Sequence, residues 1–431
     1  MSKETNPNLE NQMIYSVFVR NHSPEGTFDQ VIDDLDRIRD LGTDILWLMP
    51  VCPIGKECRK GKDGSPYAIA DYREINPAFG TWDDLKRLTE EAHKRDMKVI
   101  VDVVFNHTSP DSRLRQEHPE WFYHDENGNP VSIVEEWSDI IDLDYSNPEL
   151  QDELVDTLRQ FAGVVDGFRC DVASRIPVSF WKKARAACEE VHPGMIWLAE
   201  SCHLPFIKFV RDCGRPGEND SSLYEAFDIL YDYDTFPELQ AIFEDNGPIQ
   251  DWVDALIDQE ASLPVNAIKL RNLENHDHDR IAKYIKDPLL WKNWMAMLFT
   301  LRGTPLIYHG QELRESHRPS IFDQDPIDWS RLSEKESQEA SAWISNLSRI
   351  HHELFTPLAV INYEADDKQH ILDITRDGYT AFFLLDQPES DRITISYPNG
   401  TYENLFDHKQ IHIVDHQAAK EDFPLLLKLA V

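Results

Sequence analysis

Residues 98–107 have the sequence KVIVDVVFNH, an apolar run that ends in Asn106 and His107. A run this short and this rich in valine is typical of a parallel strand buried on both faces. Other short apolar runs precede and follow it along the chain, and amphipathic segments with helical spacing separate them. From about residue 14 to residue 308 the pattern is therefore that of repeated strand–helix units.

Eight such strands are predicted in this region. They cover residues 14–19, 45–48, 98–105, 167–170, 195–199, 223–230, 267–273 and 305–308. Eight strands that alternate with helices favour a (β/α)8 TIM barrel, and a doubly wound open sheet is the alternative.

The alternation is interrupted twice. Residues 108–141 include the polar and aromatic stretch EHPEWFYHDENGNP and have no sustained period, which predicts a short lobe inserted after strand 3. A last amphipathic helix is predicted to begin at a capping box, Ser333 to Glu336, and the pattern then changes to period two with turn pairs at Asp377-Gly378 and Asn399-Gly400. We therefore predict a barrel from residues 1–107 and 142–352, a lobe from 108–141 and a C-terminal antiparallel β domain from 353–431.

The composition narrows the function classes. The 431 residues include 43 basic and 78 acidic side chains, for a net charge of −35, which disfavours nucleic acid and anionic membrane surfaces as partners. The opening MSKETNPNLENQ is polar, and no apolar run approaches the roughly 20 residues of a membrane span, so we expect a cytoplasmic protein. The six cysteines lack zinc-type spacing and are expected to be free thiols. The sequence does not indicate the oligomeric state.

Polar residues stand where several predicted strands stop, which is where the active site of such a barrel lies. They are Asp102, Asn106 and His107 on strand 3, Arg169 and Asp171 on strand 4, Glu200 on strand 5, and Asn275, His276 and Asp277 on strand 7. Because several strand ends carry such groups together, we predict a polar catalytic pocket rather than a set of isolated helix caps.

Two of these carboxyl groups suit retaining glycoside hydrolysis, in which one attacks the anomeric carbon and the other protonates the departing oxygen. Arg169 lies two residues before Asp171 and on the same side of the strand, so we expect its charge to keep that aspartate ionised. Glu200 follows the apolar run from Ile196, a setting that suits a general acid. Metal-assisted hydrolysis by the same Asp and His groups stays open at this point.

Four sequence blocks resemble the signatures of the alpha-amylase superfamily, glycoside hydrolase family thirteen. They are DVVFNH (residues 102–107), GFRCD (167–171), LAES (198–201) and ENHD (274–277), and they occur in the family's order. Weaker matches are IYSVFVRN, SPYAIADYREINPAFGT and GTPLIYHGQE. One block alone would say little, but four in order are highly specific.

The resemblance implies a role for each matching residue. Asp171 would be the nucleophile that forms a β-glycosyl-enzyme, Glu200 the acid and then the base, and Asp277 the group that binds sugar hydroxyls and favours the distorted transition state. Arg169, His107 and His276 would hydrogen-bond the sugar before the scissile bond, and Tyr67 would stack beneath it. No cofactor is required for this chemistry. Family members often hold a structural calcium ion, and Asn106 and Asp142 stand where two of its ligands would be.

The resemblance thus implies an alpha-amylase-type hydrolase that cleaves α-glucosidic bonds, α-1,4 bonds being expected, in maltooligosaccharides or starch-derived glucans. An exo-acting α-glucosidase, a 4-α-glucanotransferase and a trehalose synthase would share the same intermediate. A non-catalytic binding scaffold is disfavoured because all three carboxylates are present.

Three features depart from the family pattern or need a separate explanation. The lobe is short, and Ser174-Arg175 stands where many amylases have Lys-His. Aromatic residues of the lobe are either sugar-stacking platforms or a small core: Trp121, Phe122, Tyr123 and Trp137. A basic cluster follows strand 2, for which a solvated loop is favoured over a site for a phosphorylated sugar: Lys56, Arg59, Lys60 and Lys62.

Overall fold

Eight parallel strands form a closed barrel in the computed structural model, which describes residues 5–429. In chain order, which is also their order around the barrel, they are β1 (Ile14–Val17), β2 (Ile45–Leu48), β3 (Lys98–Val103), β6 (Gly167–Cys170), β7 (Ile196–Ala199), β8 (Ile229–Tyr231), β9 (Ile268–Arg271) and β10 (Thr304–Tyr308). The predicted (β/α)8 barrel is confirmed, and the open-sheet alternative is wrong.

An insertion follows β3, as predicted. The two-residue strands β4 (His107–Thr108) and β5 (Ile141–Asp142) pair antiparallel at its base, with His107 opposite Asp142. The insertion between them contains the short helix α5 (Arg113–Glu117).

The other helices are α1 (Val19–His22), α2 (Phe28–Asp33), α3 (Leu35–Asp40), α4 (Trp82–His93), α6 (Pro148–Ala162), α7 (Val178–Glu189), α8 (Leu204–Asp212), α9 (Asp220–Leu223), α10 (Phe236–Asp245), α11 (Ile249–Ser262), α12 (Ile281–Tyr284), α13 (Pro288–Thr300) and α14 (Lys335–Leu354). Helix α4 begins at a complete capping box, in which the Thr81 hydroxyl accepts from the Asp84 amide and the Asp84 carboxylate accepts from the Thr81 amide.

The described chain divides into two compact units. The first unit contains residues 5–6, 14–231 and 319–329. The second unit contains residues 7–13, 232–318 and 330–429. The predicted boundaries of the barrel, the lobe and the β domain stay predictions.

Strand register in the first unit positions its polar groups. Strand β3 pairs with β6 so that Asp102 lies opposite Arg169, and β6 pairs with β7 so that Arg169 lies opposite Leu198. Gly167 allows close approach of β6 and β7, because a Cβ atom there would lie 2.2 Å from the carbonyl oxygen of Ile196.

The second unit contains the predicted C-terminal β structure. Its strands are β11 (Ile361–Asp366), β12 (Ile371–Arg376), β13 (Tyr379–Leu384), β14 (Arg392–Thr394), β15 (Gly400–Glu403), β16 (Gln410–Ile413), β17 (Gln417–Ala419) and β18 (Leu425–Lys428). They form an antiparallel sheet in the order β11-β12-β13-β18 and the pairs β14-β17 and β15-β16. The hairpin at Asp377-Gly378 is confirmed, since both residues have positive φ between β12 and β13.

Three local predictions are wrong. Residues 220–223 form helix α9, capped by the Asn219 side chain on the Ser222 amide, so the sixth strand begins only at Ile229. The Asn399-Gly400 pair is not a hairpin turn, because Gly400 already opens β15, which pairs with β16. Helix α14 has no side-chain cap at its N-terminus, and the Ser333 hydroxyl instead donates to the carbonyl of Ser330.

No helix among residues 5–429 is long and apolar enough to cross a membrane. The cytoplasmic location stays a prediction.

Candidate active site

The guanidinium of Arg169 is the centre of the site in the first unit. It is fully buried, and its Nη1 lies 3.0 Å from Asp102 Oδ1 and 2.9 Å from Asp171 Oδ1. Its Nη2 lies 3.0 Å from Glu200 Oε2, and its Nε donates to the Tyr231 hydroxyl at 3.2 Å. One cation therefore holds three carboxyl groups, and two of them are the predicted nucleophile and acid.

The same cation lies among aromatic rings. The Arg169 Cζ atom is 5.2 Å from the ring centre of Trp47, 5.1 Å from that of Tyr231 and 5.9 Å from that of Tyr67. Ring faces attract a guanidinium and exclude water from it. The charge cluster thus occupies a largely dry pocket, in which electrostatic interactions are stronger than in water.

Burial controls the protonation of the cluster. It raises the pKa of Asp171 well above the ordinary value of an aspartate, the charge of Glu200 raises that pKa further, and Arg169 opposes the change. Burial also raises the pKa of Asp102 to about 7, again against the charge of Arg169. Arg169 therefore lowers the pKa of Asp171 without outweighing burial and the charge of Glu200, because one guanidinium serves three carboxyl groups. That Asp171 is ionised in the working enzyme stays a prediction.

The Asp102→Asn variant tests this electrostatic picture. The substitution removes a negative charge that raises the pKa of Asp171, while the amide oxygen can still accept from Arg169. Since a nucleophilic carboxylate works when ionised, we expect the acidic limb of the kcat/KM profile to move to lower pH. Profiles measured from pH 4 to pH 9 check this shift.

A second readout of the same variant is its stability. A carboxyl group whose pKa is about 7 in the fold and about 4 in the unfolded chain destabilises the fold as pH rises through that window. Asp102→Asn should therefore raise Tm at pH 8 and leave it unchanged at pH 4. The control is Asp33→Asn, an exposed side chain on α2 that should change neither quantity. An acidic limb that stays in place or moves to higher pH would contradict the picture.

The turn after β6 connects the nucleophile to the acid. Val172 has φ 35° and ψ 46°, a left-handed conformation that is strained for a β-branched residue. In this conformation its amide donates to Glu200 Oε2 at 2.7 Å. The strain thus occurs at a functional position, where the turn fixes one oxygen of Glu200 next to Asp171.

His107 and Tyr67 lie beside the cluster, as predicted. The Tyr67 hydroxyl donates to Asp102 Oδ2 at 3.2 Å, and His107 Nε2 lies 4.0 Å from Asp171 Oδ2. Burial lowers the pKa of His107 to about 3, so the ring is neutral. Because the Asn106 amide donates to Nδ1 at 3.0 Å, the ring proton is on Nε2, the nitrogen that lies 4.0 Å from Asp171 Oδ2.

His276 and Asp277 lie in the second unit, after strand β9. His276 is buried, and its Nε2 lies 3.2 Å from Asp277 Oδ2. The side-chain oxygen of Asn275 accepts from the amides of Asp277 and His278, and its nitrogen donates to the Tyr233 hydroxyl. The Asp277 carboxylate is 41% exposed and is therefore available to an incoming ligand.

The aromatic residues of the lobe have two different environments. Trp121 and Phe122 are buried, as expected for a small core. Trp137 is half-buried, and its ring centre lies 5.8 Å from that of His107 and 6.2 Å from that of Phe206. Phe206 in turn lies 6.1 Å from Phe209, which is 44% exposed on helix α8. We name Trp137, Phe206 and Phe209 the aromatic row.

The two predicted calcium ligands do not form an oxygen cage. Asp142 Oδ2 lies 2.6 Å from Nη2 of Arg175 and also accepts from the Ile133 amide, while the side-chain nitrogen of Asn106 donates to His107. Calcium takes six to eight oxygen ligands, whereas the guanidinium of Arg175 already occupies Oδ2 of Asp142 and leaves Oδ1 as its one oxygen without a hydrogen-bond partner. This arrangement does not fit a calcium ion, and no step below depends on one.

Some functional contacts were not predicted. Tyr231 is the last residue of β8, whereas the strand predicted here covers residues 223–230. A polar hydroxyl directly after an apolar run could have identified Tyr231 as a site residue. The contact between Arg175 and Asp142 joins residues 33 positions apart, with helix α6 and strand β6 between them, and no spacing pattern indicates it. The predicted clustering of Arg169, Asp171 and Glu200 is what the structure shows.

A (β/α)8 barrel with this buried cluster of carboxyl groups at its strand ends defines the class of barrel glycosidases. The sequence comparison identifies the family: the model of the alpha-amylase catalytic domain matches residues 5–139 and 117–349, and the chain belongs to that family. The resemblance drawn from the four sequence blocks is confirmed.

Two solved structures and one curated protein illustrate the relationship. The chain is similar to an alpha-amylase from Lactobacillus plantarum, with 42% identity and a TM-score of 0.91 over 99% of this chain and 100% of that one. It is also similar to the noncanonic maltogenic alpha-amylase AmyB from Thermotoga neapolitana, with 31% identity and a TM-score of 0.83 over 98% and 100%. The alpha-amylase MalA of Haloarcula japonica is 29% identical over 359 residues, 80% of this chain. The chain aligns with about half, 49%, of that relative's length.

Proposed function

We propose that this protein is a retaining glycoside hydrolase that cleaves α-1,4-glucosidic bonds in maltooligosaccharides or starch-derived glucans. The observation that carries the proposal is the contact of Arg169 with both Asp171 and Glu200, at 2.9 and 3.0 Å, on the ends of adjacent strands. The guanidinium orients a nucleophile and an acid toward one pocket, which is what a double-displacement glycosidase needs.

In the first step, an oxygen of Asp171 attacks the anomeric carbon as the bond from that carbon to the glycosidic oxygen breaks. Glu200 gives its proton to the departing oxygen, so the leaving sugar carries a free hydroxyl. The product is a β-glycosyl ester of Asp171. Arg169 stabilises the negative charge that passes to Glu200 as its proton leaves.

In the second step, Glu200 is the base. It takes a proton from a water molecule, whose oxygen attacks the anomeric carbon and displaces the Asp171 carboxylate. Two inversions restore the α configuration of the released sugar. The Val172 amide, which donates to Glu200 Oε2, keeps this carboxylate in place during both steps.

The remaining residues are proposed to bind the sugar. For Asp277 and His276 we propose the hydroxyl contacts that the ENHD block implies, which lower the barrier when they tighten in the transition state. His107 presents a neutral Nε2–H donor, and Tyr67, which donates to Asp102, offers its ring face to the sugar. No cofactor takes part, and the partner is the glucan itself.

The aromatic row is proposed to bind the leaving-group side of the chain. It extends from His107 through Trp137 and Phe206 to the exposed ring of Phe209, and helix α8, which carries two of these rings, begins four residues after Glu200. Apolar sugar faces pack on aromatic rings. A long glucan would reach this row, whereas a disaccharide fills only the positions beside the scissile bond.

The Phe206→Ala variant tests the proposed use of the row. We expect KM for maltoheptaose to rise about tenfold, because one ring contact is lost, while KM for maltose stays near that of the parent. Steady-state kinetics on the two substrates measure the difference. Ile257→Ala removes a half-exposed apolar side chain from helix α11 and is the matched control. An equal change of KM for both substrates would contradict the proposal.

A product time course tests the function as a whole. The substrates are maltose, maltoheptaose, isomaltose, sucrose and soluble starch, with the anomeric configuration of the products followed by NMR. We expect α-configured short maltooligosaccharides from the interior of longer chains. Glucose alone would indicate an α-glucosidase, longer products or trehalose a transferase or isomerase, and β-configured products would overturn the retaining mechanism.

A further inference from the structure

The inserted lobe, residues 108–141, carries an excess of negative charge. It has eight acidic and two basic side chains, and its base is only the two-residue pair of β4 and β5. So short a pair contributes little stability by itself. Other contacts also hold the lobe, among them the bridge between Phe122 and Leu143 and the ion pair of Arg113 with Asp71. Three further contacts are each made by a basic residue of the first unit outside the lobe.

The first contact is a buried ion pair at the base of the lobe. Arg175, which follows β6, places Nη2 2.6 Å from Asp142 Oδ2, and both side chains are at least 97% buried. Arg175 Cζ lies 5.4 Å from the ring centre of Trp137, within the range of a cation–π contact. This one guanidinium thus contacts the end of the lobe at β5 and an aromatic ring within it.

The second contact comes from the basic cluster after β2. Lys60 Nζ lies 3.0 Å from Asp139 Oδ1 and also donates to the carbonyl of Glu136. Asp139 is buried, so its carboxylate needs a partner more than a surface group does. Lys60 therefore fastens the segment that carries Trp137.

The third contact comes from the region after helix α8. Arg215 Cζ lies 3.2 Å from the ring centre of Tyr123, which is in the middle of the lobe. We name the three basic residues the anchoring cations. Arg215 contacts the lobe near its middle, Lys60 near its end and Arg175 at its base. They follow three different barrel strands: β2, β6 and β7.

We propose that Arg175, Lys60 and Arg215 hold the lobe in its working position, in place of a bound divalent cation. A calcium ion at the base would need the Asp142 carboxylate, and the Arg175 guanidinium already pairs with it. A guanidinium also supplies directed N–H donors and a flat face for Trp137, which a metal ion does not. The protein's own positive charges thus offset part of the negative charge of the lobe.

This anchoring has a consequence for the active site. Asp142 is the register partner of His107 across the β4–β5 pair, so the contact that fixes Asp142 also fixes the backbone that carries His107. Arg175 is therefore a positioning residue for His107, although it is not expected to touch the reacting atoms. The inference concerns the lobe and does not depend on the substrate proposed above.

The first experiment uses the parent protein and a chelator. Metal analysis after dialysis against EGTA should find no stoichiometric calcium, and neither Tm nor the hydrogen exchange of residues 119–142 should change on addition of EGTA or of millimolar calcium chloride. Stoichiometric calcium, or a Tm that falls with EGTA and recovers with calcium, would overturn the proposal. These readouts do not require glycosidase activity, so a wrong substrate proposal would leave them intact.

The second experiment removes the anchoring cations one at a time. Arg175→Ala leaves a buried carboxylate unpaired, and we expect Tm to fall by about 5 °C with faster exchange in residues 119–142. Arg175→Lys should recover part of both losses, because it keeps the charge. Lys60→Ala, a milder change at a partly exposed position, should accelerate exchange around Trp137 with a smaller fall in Tm.

The control is Lys208→Ala, which removes an exposed cation that pairs with Asp212 on its own helix, α8, and not with a residue of the lobe. It should change neither Tm nor exchange in the lobe. If Arg175→Ala fails to fold, the anchoring role is tested by comparing hydrogen exchange in the lobe between Lys60→Ala and Lys208→Ala. If amide hydrogen exchange in the lobe were as slow in both Lys60→Ala and Arg175→Lys as it is in the parent, the anchoring role would be wrong.

Discussion

The Asp171→Asn variant is expected to lose about 10⁴-fold or more of kcat/KM on maltooligosaccharides. An amide oxygen is too weak a nucleophile to form the glycosyl ester, and no other carboxyl group replaces it: Asp102 is engaged by Tyr67 and Arg169, and Glu200 is the proposed acid. Initial rates on maltoheptaose, with enzyme concentrations high enough to detect slow turnover, measure the loss.

The fold should not suffer from this substitution. Burial raises the pKa of Asp171, so the ionised carboxylate is a cost to the folded state, and the amide removes that cost. We expect a Tm at pH 7 equal to or above that of the parent. Asp33→Asn, an exposed side chain on α2, is the control for an Asp-to-Asn change and should keep full activity. Residual activity above about one hundredth of the parent would remove Asp171 from the role of nucleophile.

The Glu200→Gln variant should show a different loss, which depends on the leaving group. On maltoheptaose we expect kcat/KM to fall by about 10² to 10⁴, because the departing oxygen no longer receives a proton. Fluoride is a good leaving group without a proton, so α-maltosyl fluoride should still react in the first step. The second step then lacks its base, and we expect a burst of about one fluoride per enzyme followed by slow turnover.

The contrast between the two variants separates the two roles. Asp171→Asn should fail on both substrates, whereas Glu200→Gln should fail on the glucan and give the burst with the fluoride. Stopped-flow detection of fluoride and steady-state rates supply the data. If Glu200→Gln released no burst, or if its losses on the two substrates were equal, the proposed division between nucleophile and acid would be wrong.

Much of the barrel could be predicted because its strands are short, apolar and buried. The runs at 45–48 and 167–170 match the strand bounds residue for residue. The sixth strand was misplaced because Leu223 belongs to a short helix that Asn219 caps, and a single apolar run does not distinguish a buried turn of helix from a strand. Likewise Ser333 and Asn399 carry local motifs that the surrounding structure does not use.

The sequence predicted which residues come together in the site, but not that the pKa of Asp171 is raised. Strand-end positions are sufficient to bring Arg169, Asp171 and Glu200 together. The raised pKa of Asp171 comes mainly from burial and then from the charge of Glu200, with a smaller contribution from Asp102, which shares Arg169 because of the β3–β6 register. That register, like the distant pairing of Arg175 with Asp142, arises from tertiary packing and has no local signal in the sequence.

Cleavage is proposed to proceed through a covalent ester on Asp171. The most direct measurement is mass spectrometry of the Glu200→Gln variant after a brief incubation with α-maltosyl fluoride, first of the intact protein and then of its peptides. The account predicts the added mass of one maltosyl group, located on the peptide that contains Asp171. Release of fluoride without any adduct, or an adduct on another residue, would contradict it.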